Sequence, residues 1–149
     1  MIEKNKIEEV VRGLIAESDI FLVSVKVSAS NKIIIHIDKN SGITIDECAA
    51  IHRRIEQCFN RDEEDYELQV SSPGIDAPFI VIEQYVKNEG KKVEVLDNNG
   101  KKYTGLLKNI TTGGFELETG IKVKGKAKET VEFSFNFDQV KYVKIVLTI

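Results

Sequence analysis

Both prolines of the chain, Pro73 and Pro78, lie within residues 73–78, and the hydrophobic pattern differs on the two sides of this segment. On the N-terminal side, apolar spacings typical of helices and of strands follow one another, whereas on the C-terminal side apolar residues mostly alternate with polar ones. Because proline fixes its own backbone dihedral and has no N–H to donate, such a segment interrupts helices and sheets alike. We therefore predict two domains, residues 1–80 and residues 81–149.

The first domain is predicted to contain a helix, two strands, a second helix and a third strand, in that order. Apolar residues three or four positions apart indicate the helices, and alternate apolar residues indicate a β-hairpin and a further strand. In the first strand of the hairpin, the odd-numbered residues Phe21 to Val27 are expected to share the buried face. The order predicts an α/β layer with helices on one face of a small sheet, formed by segments 7–15, 21–27, 33–37, 48–59 and 66–70.

A capping box is predicted at the start of the second helix, in the segment Thr44-Ile45-Asp46-Glu47. The Thr44 hydroxyl can accept a hydrogen bond from the Glu47 N–H, and the Glu47 carboxylate can accept one from the Thr44 N–H. Asp46 and Glu47 also place negative charge at the positive end of the helix dipole. The helix is therefore expected to begin directly after Thr44.

Two spacings that could hold a metal ion are incomplete. The segment Asp38–Gly42 begins like a calcium-binding loop, but Ala49 stands where such a loop needs a bidentate glutamate. Cys48 and His52 are four residues apart on the predicted helix, but a structural zinc site needs four ligands, and the other histidine, His36, belongs to a strand. We predict no metal and no cofactor, and we expect both cysteines to be reduced thiols in a cytoplasmic protein.

The segment Ser71-Ser72-Pro73-Gly74 is predicted to end the third strand in a type II turn. Proline suits the second position of such a turn, and Gly74 supplies the positive φ that the third position requires. Two hydroxyls beside a turn backbone could hold a phosphate group, although the spacing of a P-loop is absent. Alternatively, the two serines cap free backbone groups at the end of the strand, and the pattern favours this second interpretation.

The second domain is predicted to be a small, strongly bent β-barrel of five strands, preceded by a short helical turn at residues 83–87. Gly105 is expected to mark a bulge or a sharp bend in one of these strands. A string of four lysines could contact RNA phosphates or could form a solvated loop, and no aromatic residue interleaves with it. These lysines are Lys122, Lys124, Lys126 and Lys128.

The formal net charge of −3 is divided unequally between the two predicted domains. Residues 1–80 carry 9 basic and 15 acidic side chains, a net charge of −6, whereas residues 81–149 carry 12 basic and 9 acidic side chains, a net charge of +3. The element order of the first domain is that of KH-type RNA-binding modules, but no Gly-x-x-Gly loop occurs in the chain. An acidic domain without that loop fits a basic protein partner better than it fits RNA.

No catalytic or membrane-spanning motif is found. The chain has no Gly-x-Ser-x-Gly segment, and its histidines are His36 and His52. Uninterrupted apolar runs do not exceed four residues, where a membrane-spanning helix needs about 20. We expect neither an enzyme nor a membrane protein, and no small-molecule substrate. The alternative, a hydrolase that uses Ser71 or Ser72, requires a histidine within reach of the turn.

Two segments resemble motifs of the ribosome maturation factor RimP family. Residues 37–48, IDKNSGITIDEC, resemble its IDK-x-x-GIT-x-[DE]-[DE]-C segment, and residues 66–76, YELQVSSPGID, resemble its Y-x-LEVSSPGLD segment. A weaker match, GKKVEV at residues 90–95 with Gly105 in the following strand, resembles the start of the family's C-terminal barrel. The two long motifs occur in the family's order and separation, and the resemblance covers essentially the whole chain.

The resemblance implies a non-enzymatic cytoplasmic factor that assists assembly of the small ribosomal subunit. It implies an α/β N-terminal domain and an SH3- or Sm-like C-terminal barrel. It also implies binding to the free, immature subunit, through rRNA and a basic ribosomal protein near the decoding centre. Ala77 stands where many members have arginine, so from the second motif we carry over only Ser71, Ser72, Pro73, Gly74 and Asp76.

From the first motif, the resemblance implies functional roles for Asp38, Gly42, Thr44 and Asp46, in the loop and at the helix cap. A different class of function also remains open, a generic Sm-like RNA-binding module with an appended domain. It predicts tight binding to free single-stranded RNA in the absence of any ribosomal protein.

Overall fold

The computed structural model describes residues 2–121, 125 and 129–147. The chain divides into two compact units, Met1–Pro73 and Gly74–Ile149, which are described separately. Within the described residues, no helix combines the length and the apolar character needed to cross a lipid bilayer.

The first unit has the element order predicted from the sequence. Its strands form one three-stranded sheet in the order β1-β2-β3, with β1 and β2 antiparallel and β2 and β3 parallel. The parallel pair follows from the connection, because a helix between two strands returns the chain to the same end of the sheet. The elements are α1 (Lys4–Ile15), β1 (Ile20–Val27), β2 (Lys32–Lys39), α2 (Ile45–Glu56) and β3 (Glu67–Ser71).

Both helices pack on one face of this sheet. The side chains that β2 directs toward them are almost inaccessible to solvent, and the buried residues of each helix recur at the three- and four-residue spacing that the sequence shows. Aliphatic side chains dominate the resulting core, which includes Ile7, Val11, Ile15, Ile33, Ile35, Ile37, Cys48, Ile51 and Ile55.

A bulge in β1 makes one sequence prediction wrong. The register with β2 shifts between Leu22 and Ser24, so Val23 is left without a paired residue. An extra residue inverts the alternation of side chains upstream of it. The core therefore contains Leu22 together with Val25, and the odd-numbered residues from Phe21 onward do not share one face.

The second unit contains the five predicted strands. They form one antiparallel sheet in the order β7-β6-β5-β4-β8. The predicted helical turn is a six-residue helix that begins at Ile82. The elements are α3 (Ile82–Lys87), β4 (Lys92–Asp97), β5 (Lys102–Lys108), β6 (Gly114–Ile121), β7 (Glu129–Asn136), a 3₁₀ turn (Phe137–Gln139) and β8 (Val140–Ile145).

An aromatic cluster centred on Tyr85 lies in the core of the second unit. The Tyr85 ring lies 5.0 Å from the Phe79 ring, 5.4 Å from Phe115 and 4.9 Å from Phe137, measured between centroids. Burial raises the pKa of the Tyr85 hydroxyl to about 12. A single side chain of α3 thereby joins the helix to the sheet.

Gly105 allows two strands to approach closely. The pairing of β4 with β5 continues regularly through Gly105, so no bulge occurs in that pairing. A Cβ atom at this position would overlap the backbone carbonyl oxygen of Glu118 on β6. The glycine is therefore explained by the close approach of two backbones, which is the other common reason for glycine inside a strand.

Candidate functional site

The loop of the first motif is a tight turn after β2. The Gly42 N–H donates a hydrogen bond of 2.9 Å to the Lys39 carbonyl, and Gly42 has a φ of +88°. The half-buried Asp38 carboxylate accepts a hydrogen bond of 2.9 Å from the Lys39 N–H. This turn fixes the direction in which the chain enters α2, and a side chain at Gly42 would be strained by the positive φ.

The capping box at the start of α2 is confirmed. The Glu47 N–H donates to the Thr44 hydroxyl at 3.1 Å, and the Thr44 N–H donates to the Glu47 carboxylate at 3.0 Å. Lys39 donates to the other oxygen of the same carboxylate at 2.8 Å. The bond from Lys39, followed by that from the Thr44 N–H, lowers the pKa of Glu47. Asp46 lies exposed in the first turn of the helix.

An open groove of about 440 Å³ lies beside the end of β3 and brings the two motifs together. One wall comes from the first turns of α2 and the other from the end of β3. The Ile45 side chain is 88% exposed at the start of α2, although it is large and apolar. The lining includes Ile45, Cys48 and Ala49 on α2, and Val70, Ser71 and Ser72 on the strand side.

The hydroxyl groups of Ser71 and Ser72 line this groove. In the part of the chain that the structure describes, neither hydroxyl makes a hydrogen bond to the protein. The interpretation in which they cap free backbone groups at the end of the strand is therefore not supported. Both hydroxyls remain available to a bound partner.

The predicted type II turn at Pro73-Gly74 is wrong. The φ of Gly74 lies outside the left-handed region. The turn forms two residues later, where the Ala77 N–H donates a hydrogen bond of 2.9 Å to the Gly74 carbonyl. Ile75 and Asp76 therefore take the two central positions, and both are exposed. Gly74 is thus the first residue of the turn, a position that does not require a positive φ.

His52 is held by contacts with two different elements. Its Nε2 atom lies 3.0 Å from the Leu68 carbonyl oxygen of β3, and its Nδ1 atom lies 2.9 Å from the Glu56 carboxylate. The imidazole thus joins α2 to β3 at the side of the groove. Within residues 2–121, 125 and 129–147, no cluster of three or more metal-ligating side chains is found, around Cys48 and His52 or elsewhere.

His36 lies next to Ser71, because the two residues are paired in the β2–β3 register. Its Nδ1 atom, however, is 3.3 Å from the Ser24 hydroxyl, and burial, followed by the nearby Lys26, lowers its pKa. A histidine is therefore near the turn, as the hydrolase alternative requires. Across the described segments, neither histidine is hydrogen-bonded to Ser71 or Ser72, so the nucleophile–base pair of covalent catalysis is not assembled there.

The string of four lysines is not part of the chain that the structure describes. Lys122, Lys124, Lys126 and Lys128 lie outside the described residues. Their proposed role in RNA binding therefore stays a prediction from the sequence.

The structure is that of a two-unit protein. An α/β unit presents an open groove, and a β-rich unit follows it. Residues 10–76 match the model of the RimP N-terminal domain. The chain is 34% identical over 146 residues to the ribosome maturation factor RimP of Porphyromonas gingivalis, which covers 95% of this chain and 96% of that protein.

Further relatives bear the same name. The ribosome maturation factor RimP of Christiangramia forsetii is 32% identical over 135 residues, covering 87% of this chain and 86% of that protein. The one from Cytophaga hutchinsonii is 27% identical over 159 aligned positions, covering 96% and 95%. The chain belongs to the RimP family, as the two sequence motifs indicated.

Proposed function

We propose that this protein is a non-enzymatic, cytoplasmic maturation factor of the small ribosomal subunit. Its relatives are named ribosome maturation factors. The observation that carries the proposal is the groove, which joins the helix cap of one family motif to the strand end of the other. In this proposal the groove binds a partner, and the protein performs no chemistry on it.

The charge distribution supports different partners for the two parts of the chain. Residues 1–80, with a net charge of −6, fit a basic ribosomal protein near the decoding centre. Residues 81–149, with a net charge of +3, fit rRNA, and we propose that their sheet closes as an SH3- or Sm-like barrel. The protein thus contacts both components of an immature subunit.

Co-sedimentation tests this proposal directly. We expect the full chain to sediment with immature small subunits at low salt and to be absent from the large-subunit fraction. The RNA contribution predicts that binding weakens steeply as salt is added, because counterions compete for the phosphates. Absence of the protein from immature small subunits at low salt would contradict the proposal. Tight binding to free single-stranded RNA in a gel-shift series would favour the generic RNA-binding module instead.

A further inference from the structure

Strand β3 lies at an edge of the three-stranded sheet, and its register shows which backbone groups face outward. Glu67 is paired with Lys32, and its N–H donates a hydrogen bond of 3.0 Å to the Asn31 carbonyl. In a parallel pair, every second residue directs both its N–H and its C=O toward the neighbouring strand. Glu67, Gln69 and Ser71 therefore face β2, and the backbone groups of Leu68 and Val70 face away from it.

One group of this outward edge is already occupied. The Leu68 carbonyl accepts the hydrogen bond from His52 Nε2, at 3.0 Å. For Val70, the described residues supply no partner to either the N–H or the C=O group. The open part of the edge therefore begins at Val70 and continues into Ser72, directly beside the groove.

The groove lies where an added strand would place a side chain. Two residues directly opposite each other in an antiparallel pair point their side chains to the same face of the sheet. The Val70 side chain packs against the core beneath the helices. A residue paired with Val70 would therefore point toward Cys48 and Ala49 of α2, which line the apolar wall of the groove.

Charge decides among the possible occupants of this edge. Residues 1–73 carry 9 basic and 14 acidic side chains, a net charge of −5. Glu67 is exposed on β3 itself and Asp46 at the start of α2, so the negative charge surrounds the groove, whose own lining includes the basic Arg53. A second copy of this unit would bring two units of net negative charge together, and RNA would meet the same repulsion. A basic polypeptide is the occupant whose charge is complementary.

We propose that the edge of β3 from Val70 to Ser72 binds an extended, basic segment of a partner protein as an additional β-strand. Main-chain hydrogen bonds to Val70 hold the segment, and one aliphatic side chain of the segment fills the groove. The proposal rests on the proposed function in one respect, because it describes how the acidic domain recognises a basic partner.

The test uses the full chain and a short synthetic peptide of alternating lysine and valine. Its matched control is the same peptide N-methylated on its valine residues, which keeps the charge but removes the donors from the edge that would face β3. We expect the control to bind at least about tenfold more weakly, since the hydrogen bonds that the peptide donates to the Val70 and Ser72 carbonyls are lost. Amide hydrogen exchange read at Val70 should slow at least about tenfold when the unmodified peptide is bound.

Two substitutions separate the backbone from the side chain. Val70→Pro removes the outward N–H without breaking the ladder with β2, and proline is tolerated at an edge in this orientation. Val70→Ala reduces the side chain but keeps the N–H. We expect Val70→Pro to bind the peptide at least about fivefold more weakly than Val70→Ala, at equal thermal stability. If Val70→Pro does not fold, slower amide hydrogen exchange at Val70 of the wild-type protein on peptide binding tests the same backbone contact.

The outcomes distinguish this inference from the proposed function. Unchanged exchange at Val70 under saturating peptide, or equal binding of both peptides, overturns the strand addition. A dimer that dissociates on Val70→Pro substitution overturns it in favour of a second copy of the chain. If wild-type protein and Val70→Pro sediment equally with immature small subunits while the peptide results fail, the proposed function stands without this surface. If the peptide results hold and co-sedimentation fails, the surface stands and the ribosomal assignment falls.

Discussion

At the scale of single residues, Asn31 determines how β1 turns into β2. It has a φ of +60°, a left-handed conformation that asparagine tolerates better than most residues. Its side-chain oxygen accepts a hydrogen bond of 3.0 Å from the Ile2 N–H, and its amide group donates to Glu64 and to the Asp65 carbonyl at 3.1 and 3.2 Å. One side chain thus connects the hairpin to the N-terminal segment and to the acidic segment before β3.

We expect Asn31→Ala to lower the free energy of unfolding by about 2 kcal/mol. The backbone penalty for alanine in the left-handed region is of order 1 kcal/mol, and the missing hydrogen bonds contribute about as much again. Asn31→Gly is the matched control, because glycine accepts this φ and loses only the hydrogen bonds. Urea unfolding followed by circular dichroism measures both. Equal stability of the alanine variant and the wild type would contradict the prediction.

Gly74 and Gly105 should respond very differently to alanine. A Cβ atom at Gly74 would lie 3.3 Å from the Asp76 carboxylate, which can move, and φ imposes no constraint. We expect Gly74→Ala to change the free energy of unfolding by less than about 0.5 kcal/mol. At Gly105 the Cβ atom would overlap the Glu118 backbone, so we expect a loss of about 2 kcal/mol or more. Thermal unfolding compares the two variants, and equal losses would show that the backbone around Gly105 relaxes more easily than the structure indicates.

At the scale of elements, local rules predicted what depends on neighbouring residues. The cap of α2 followed from Thr44 and Glu47 alone, because both hydrogen bonds close within three residues. The bulge at Val23 could not be found in this way, because it depends on pairing with a different strand. The same limit explains the error at Gly74, where Pro-Gly chemistry allowed a type II turn but the chain turned two residues later.

The cap of α2 should make the stability of the first unit depend on pH. Since the pKa of Glu47 is lowered on folding, its contribution is complete above the ordinary carboxyl pKa and is lost as the pH falls through the folded value. We expect Glu47→Gln to be less stable than the wild type at neutral pH, and the difference to vanish well below a pH of about 4. Lys39→Met removes the same pair from the other side and should reproduce this profile in thermal unfolding. A difference that stays constant with pH would contradict the role assigned to the charge.

At the scale of the whole molecule, the sequence predicted the number and order of the elements but not the groove. The motifs at residues 37–48 and 66–76 are separated along the chain, and only the parallel β2–β3 pairing with α2 as its connection brings them together. Likewise, a motif singled out Ser71 and Ser72, but only the folded structure shows whether their hydroxyls form hydrogen bonds within the protein. The edge at Val70 was not foreseen, and the signal that could have found it was a third strand with no further strand to pair with.

The division of charge between the two parts of the chain leads to the last prediction. If the lysine-rich part contacts rRNA, reversing the four lysines of the string to glutamate should weaken co-sedimentation with immature small subunits. It should also reduce the slope of log affinity against log salt concentration, by up to about one for each phosphate that the lysines no longer neutralise. The matched control reverses four exposed lysines elsewhere in the same part of the chain, Lys91, Lys92, Lys102 and Lys141.

The control has the same net charge as the test variant, so weaker binding of the test variant alone assigns the RNA interaction to residues 122–128 rather than to total charge. Equally weak binding of both variants would indicate that the total charge of residues 81–149 attracts rRNA at long range. Unchanged binding and an unchanged salt slope in the test variant would contradict the prediction and make the string a solvated loop. Binding of the basic partner by the acidic part should be unaffected by any of these variants, since that surface is built from residues 1–73.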